Sequence, residues 1–265
     1  LIALSNLEQA IQGICCMSIQ EETDRFKVLP LTPTIGAELL GVDLCNFDAA
    51  LIKDVRAALL AYKKDQPDPE LLRIAHGPDS RSLENFWHSD VTWREKPSLG
   101  SILHAIKVPS VGGDTLFANM ELAYERLDAE TKEEIETLIA VHDIARVLAR
   151  RMGKKAEELH APYPTREHPL VCTHPETGKR SIYVNTAFTS HIQGMDANDS
   201  AVLLDQLYKM AWDPEVQCRF RWQDGSVAFW DNRASQHFAA SDYFPQVRIM
   251  ERVTIAGDRP YLDPP

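Results

Sequence analysis

The spacing of hydrophobic and polar residues changes period several times along the chain, and each change marks an element. Residues 1–24 fit no clear element beyond a short helix and read as an N-terminal extension of unassigned role. FKVLPL, beginning at Phe26, and AELLGVDL, ending at Leu44, read as short strands around a Pro-Thr-Ile-Gly turn. Leu51, Val55, Leu59 and Tyr62 share one face of a helix that Asn46 or Asp48 can cap and that runs to Lys63. LLRIAHG and SILHAIKV read as further strands, and helical patterning covers Met120–Leu127 and Asp128–Val141. Residues 149–168 are basic and polar with prolines nearby, which predicts a mobile connection or lid, placed at 145–168. LVCT and SIYVN flank the turn HPETGKR as a hairpin, and a helix spans Ser200–Ala211.

The C-terminal part has the cleanest period. Val216, Cys218, Phe220 and Trp222 alternate with Gln217, Arg219 and Arg221, as in a half-buried strand. Gln223-Asp224-Gly225 then turns the chain into SVAFW, and RIMERVTI closes the series. Short strands at both ends of the chain, with helices between them, predict a β-sandwich or jelly roll decorated by inserted helices. Residues 25–265 are expected to form it as one domain.

Composition narrows the function classes. The 265 residues carry 28 Lys and Arg against 39 Asp and Glu, a net charge of −11. Such a chain repels phosphate backbones and anionic lipid, so neither nucleic acid nor a membrane surface is an expected partner. No apolar run approaches the ~18 residues of a membrane span, and LIALSNLEQAIQGICCMSIQ lacks the basic start of a signal peptide. Cys15, Cys16, Cys45, Cys172 and Cys218 are odd in number and form no CxxC pair. That pattern predicts reduced thiols in a cytoplasmic protein.

Two His-x-Asp/Glu matches occur, His88-Ser89-Asp90 and His174-Pro175-Glu176. The second lies among turn residues and reads as surface. The first lies in NFWHSDVTW, where an extended backbone points residues i and i+2 to one face. An imidazole and a carboxylate from one strand, with a second imidazole from elsewhere, form the 2-His-1-carboxylate face of non-haem Fe(II) oxygenases. His237, in WDNRASQHFAASDY, is the candidate for that place, although a lone histidine beside Phe238 also fits a hydrogen-bonded core residue. Arg248 and Arg252 lie four apart in RIMERVTI and so share a strand face. They either meet acidic side chains or hold the anions of a cosubstrate and a substrate.

These residues carry a resemblance. WHSDVTW, VPSVGGDTLFAN, HPLVCTHPETGKRSIYVN and FRWQDGSVAFWDNRASQHFAASDYFPQVRIMERVTIAGDRP occur in order and at compatible spacings. The chain resembles the Fe(II)/2-oxoglutarate-dependent dioxygenases of the taurine dioxygenase group, which includes alkylsulfatases and phenoxyalkanoate dioxygenases. The resemblance implies a double-stranded β-helix, a homodimer or homotetramer, and Fe(II), 2-oxoglutarate and O2 as the reaction's requirements. It places His88, Asp90 and His237 on the metal, Thr115 and Arg248 on the distal carboxylate of 2-oxoglutarate, and Arg252 on the anionic head of the substrate. Val91 beside the metal motif and the aromatic wall Phe188 complete the substrate side. The implied substrate is a small anionic organic molecule: taurine or a close aminosulfonate first, then alkyl sulfonates and sulfates, then phenoxyacids.

The sequence also departs from the pattern. Leu83 and Glu84 stand where a polar pair for taurine's amine is expected, leaving Glu84 as the group that would meet an ammonium. Leu148 replaces a lid phenylalanine. LLAYK runs almost directly into KDQPDPELLRI, where a strand and helix are expected, so a segment near Lys63–Lys64 is expected to be missing from this sequence.

Overall fold

Two layers of β-structure enclose the site, and the alternation of the C-terminal strands explains how. In the computed structural model, residues 72–82 and 84–263 are described, together with the backbone strands Ile2–Leu4, Glu22–Thr23, Phe26–Pro30 and Ala37–Leu40. The larger sheet has eight strands. One half of it runs Val227–Asp231, Ser98–Lys107, Arg248–Ala256 and, at the edge, Leu72–His76, all antiparallel, and Ile2–Leu4 continues it beyond Val227–Asp231. Facing it is a three-stranded sheet in which Thr115–Asn119 lies between Gln217–Phe220 and Ser235–Ala239. Leu103, Ala105, Phe117, Phe220, Trp230 and Met250 fill the space between the two sheets. The architecture is a jelly roll with inserted helices, as expected.

Met250 is fully buried between Arg248 and Arg252, so its side chain keeps both arginines on the inner face of their strand. Met250→Ala is expected to cost about 2–5 kcal/mol of stability through the lost contacts and the cavity left behind. Urea unfolding followed by circular dichroism measures it.

A second core lies under the helices. Met120–Glu125 starts at Asn119, whose Oδ1 accepts from Leu122 N at 3.0 Å, and Ala129–Ile135 starts at Asp128, which accepts from Thr131 N at 2.8 Å. Ala197–Met210 turns Leu203, Leu204 and Leu207 onto this core. Two expectations change here. The helix predicted over Asp128–Val141 ends at Ile135, because Ile139–His142 pairs as a strand with both Arg166–Pro169 and Thr189–Ile192. The segment expected as a connection or lid carries a helix at Ala145–Met152 and a 3-10 turn at Ala156–Leu159, packed together through Ala145, Leu148, Ala149 and Leu159. His160 fixes this segment to Asp143, Nε2 to Oδ2 at 3.0 Å. Within residues 1–24, Ile2–Leu4 is a strand rather than part of a helix.

The helix expected from Asn46 to Lys63, the Lys63–Lys64 junction, Leu83, Cys15, Cys16 and Cys45 lie outside the described residues. Cys172 and Cys218 are free and buried, in keeping with reduced thiols. Among the described residues no helix is long and apolar enough to cross a membrane.

Candidate metal centre

His88 and His237 meet because their backbones pair. His88 N donates to His237 O at 3.0 Å and His237 N to His88 O at 2.8 Å, a single bridge rather than the longer strand expected around NFWHSDVTW. The bridge sets the two imidazoles side by side, with ring centroids 4.1 Å apart. Asp90 follows at the start of a turn, and its Oδ1 lies 3.9 Å from Nε2 of each histidine. The ligand atoms of the three residues all lie within 4.8 Å of one another, so one ion can touch all three. All three are buried.

Their surroundings prepare them as ligands. His88 Nδ1 donates to Phe86 O at 3.0 Å, which leaves the Nε2 lone pair turned to Asp90 and His237. Burial, then the neighbouring His88, brings the His237 pKa down to about 3, so its imidazole is neutral and free to ligate. Burial opposes ionisation of Asp90, but Arg252, both histidines and a 2.5 Å hydrogen bond from Ser101 Oγ outweigh it and hold the carboxyl well below the usual range. Two imidazoles and a carboxylate facing one point are the donor set of a non-haem Fe(II) site.

Ser101 and Asn232 did not stand out in the sequence. Asn232 Oδ1 accepts from Asp90 N at 3.3 Å and from Trp230 Nε1 at 3.0 Å, while its Nδ2 donates to Ser98 and Ser101. The available signal was the recurrence of small polar residues in strand SLGSILHAIK, where an apolar inner face would otherwise be the rule.

Arg248 and Arg252 resolve differently. Arg252 meets an acid: its Nη1 lies 3.0 Å from Asp90 Oδ1, while its Nε is buried without a partner. Arg248 is buried, and its Nε and Nη2 have no partner among the described residues. Burial lowers its pKa, against the opposing fields of Tyr243, Glu84 and Asp114. A buried guanidinium with two unpartnered nitrogens is costly unless an anion comes to it. Thr115 and Arg248 meet at Trp222, whose Nε1 donates to Thr115 Oγ1 at 2.9 Å and whose ring lies 5.7 Å from the Arg248 guanidinium carbon. The loop before Thr115 approaches Arg248 closely. Gly113 has φ +74°, and a Cβ there would sit 3.1 Å from Pro109 and 3.4 Å from Arg248 Cδ.

On the opposite side, the Phe188 ring stands edge-on to His88 at 6.2 Å, and Val91 occupies the turn after Asp90 with φ 51°. Glu84 is half-buried, and its N donates to Ser82 Oγ at 3.5 Å. His174 was expected on the surface and is not. It is buried, accepts at Nδ1 from Glu176 N and Thr177 N, and faces Asp231 through Nε2 at 3.1 Å. The imidazole closes its own hairpin turn, which satisfies backbone donors that water would otherwise take.

Residues 63–254 match the family described as "Taurine catabolism dioxygenase TauD, TfdA family". The chain is 32% identical to an alkylsulfatase of Acinetobacter baylyi over 280 positions, covering 91% of this chain and 88% of that protein. It is 34% identical to an alpha-ketoglutarate-dependent sulfate ester dioxygenase of Pseudomonas putida, covering 88% and 90%. The fold superposes on the crystal structure of a taurine dioxygenase from Burkholderia xenovorans with a TM-score of 0.74 and 34% identity, covering 91% and 94%. The alkylsulfatase alignment occupies 280 positions against the 265 residues of this chain, so that relative carries residues opposite a gap here. The chain belongs to the TauD/TfdA family and is a non-haem iron dioxygenase that uses Fe(II), 2-oxoglutarate and O2.

Proposed function

We propose that the enzyme hydroxylates the carbon next to a small organic sulfate or sulfonate head, leaving an aldehyde and an inorganic anion. The observation that carries this reading is Arg252, a second guanidinium beside the triad, 3.0 Å from Asp90 Oδ1. Arg248 and Arg252 are four residues apart on one strand, a rise of about 13 Å, so one small anion cannot fully engage both. A second anion next to 2-oxoglutarate is therefore called for. The likeness to an alkylsulfatase and a sulfate ester dioxygenase supports a sulfate ester, and the likeness to a taurine dioxygenase supports a sulfonate.

Glu84 would have to meet the ammonium of taurine, yet its field acts on Arg248 and Tyr243, the cosubstrate side. Amine-free alkyl sulfates and sulfonates therefore stand ahead of taurine, with phenoxyacids third. Buried thiols support a reducing, cytoplasmic setting, and a homodimer or homotetramer is the assembly to look for.

His88, Asp90 and His237 would hold the Fe(II), which supplies O2 activation driven by oxidative decarboxylation of 2-oxoglutarate to succinate and CO2. Thr115 accepts from Trp222 and so keeps its own hydroxyl proton for the distal carboxylate of 2-oxoglutarate. The unpartnered nitrogens of Arg248 would grip that same carboxylate. Arg252 would turn from Asp90 to the sulfate or sulfonate, while Phe188 and Val91 keep water from the substrate carbon. Once that carbon carries a hydroxyl, the C–O or C–S bond breaks with its electron pair leaving on sulfate or sulfite. Loss of the hydroxyl proton then forms the carbonyl.

The test is a panel of pentyl sulfate, pentanesulfonate, taurine and phenoxyacetate, with succinate and released sulfate or sulfite both measured. Turnover is expected with the first two ahead of taurine. Taurine as the best substrate, with Glu84→Gln lowering kcat/KM for taurine and sparing pentanesulfonate, would reverse the order. No sulfate or sulfite from any of the four would reject the reading.

A further inference from the structure

Asp90 reaches the site on a turn that is held open by strain. Arg94 N donates to Val91 O at 2.9 Å to close the turn, and Val91 has φ 51°. A β-branched residue crowds its own backbone in that left-handed region, and such a conformation lasts only where the surroundings over-determine it.

The restraints gather on the next residue. Asn185 Nδ2 donates to Thr92 Oγ1 at 3.1 Å, and His142 Nδ1 lies 3.0 Å from the same oxygen. His168 Nε2 donates to Thr92 O at 2.9 Å and to Arg94 O at 3.0 Å. The orientation of the Asn185 amide follows from its other end, since Oδ1 accepts from Phe188 N at 2.9 Å. Thr92, His142, His168 and Asn185 are each no more than 2% exposed.

Two buried histidines are a costly way to fill that space. Among the described residues His142 Nε2 and His168 Nδ1 have no partner, and two leucines would strand no nitrogen at all. Burial also keeps both rings neutral. What leucines would lack is the contacts, and every hydrogen-bonding contact of the two rings falls on the turn that follows Asp90.

We propose that His142, His168 and Asn185 are positioning residues that pin Thr92, hold Val91 left-handed and so aim the Asp90 carboxylate between His88 and His237. They act through the backbone of the turn, and none is hydrogen-bonded to a residue of the triad. Through Phe188 N, Asn185 also joins this turn to the aromatic wall beside His88.

The inference rests on the triad being a metal site, so the first measurement is Mn(II) binding by the metal-free parent protein, followed by calorimetry. No binding there would overturn the metal reading and this proposal together, before any substitution is made. Thr92→Val removes the hydroxyl at nearly constant volume. It is expected to weaken Mn(II) binding about tenfold or more, the scale of outer-shell changes. Val91→Gly in that background is expected to restore it, since glycine takes the left-handed backbone unaided. Native affinity in Thr92→Val, or a loss that Val91→Gly does not restore, overturns the proposal; a merely structural role would lower the melting temperature and leave the affinity of the folded protein unchanged. Should Thr92→Val not fold, His168→Gln and His168→Leu decide. Glutamine keeps an N–H for the two carbonyls and should bind Mn(II) as the parent does, leucine more weakly. Equal affinities overturn the proposal.

Discussion

Asp90→Asn is expected to bring 2-oxoglutarate turnover to the level of the enzyme-free control. The substitution keeps the volume and removes the only charged donor among the three residues that face one another within 4.8 Å. A change to an outer-shell partner already costs about 10–100-fold in metal affinity or activity, so loss of a ligand should exceed that range. The fold should survive. Arg252, which loses its partner, is 19% exposed at the side chain and can reach water, and Ser101 can donate to the amide oxygen instead. Circular dichroism and a turnover assay with added Fe(II) separate the two effects. A variant that stays folded and keeps more than a few per cent of the parent rate would remove Asp90 from the metal site.

Arg248→Ala is expected to raise the KM for 2-oxoglutarate by roughly 30-fold or more, because a charge-assisted contact in a dry site is worth about 2–4 kcal/mol. The rate at saturating 2-oxoglutarate should fall much less, since the contact holds the cosubstrate before and during the reaction alike. The unpartnered Nε and Nη2 of Arg248 motivate the size of the effect: among the described residues no group occupies them, so the carboxylate would be their main partner. Steady-state kinetics at varied 2-oxoglutarate read it directly. An unchanged KM would take Arg248 out of the cosubstrate site.

The triad was legible because two of its three residues are local. His88 and Asp90 are two residues apart, and the resemblance of WDNRASQHFAASDY pointed to His237, which lies on the strand Ser235–Ala239. The C-terminal strands were legible for a related reason. Cys218 and Phe220 are buried and Arg219 is exposed, so burial follows the period of the side chains. The supports of the triad were not legible. Ser101 reaches Asp90 from the strand Ser98–Lys107 and Asn232 from the turn after Val227–Asp231, and only the register of those two strands brings them together. Trp222 reads as one more inward-facing aromatic, and nothing in the sequence shows that its indole joins Thr115 to Arg248. His174 misled because its proline- and glycine-bearing turn looks solvated, whereas the imidazole is the group that satisfies the turn. Ile139–His142 misled because its residues continue a helical pattern, and pairing on both edges overrides that local preference.

The central claim is that His88, Asp90 and His237 bind one iron and that 2-oxoglutarate joins it there. Anaerobic titration of the metal-free protein with Fe(II) and then 2-oxoglutarate tests it most directly, because the metal–keto-acid chelate absorbs visible light. The parent protein should develop the absorption with one equivalent of each, and Asp90→Asn and His237→Ala should not develop it. No absorption from the parent at saturating Fe(II) and 2-oxoglutarate, or parental intensity in both variants, would contradict the claim.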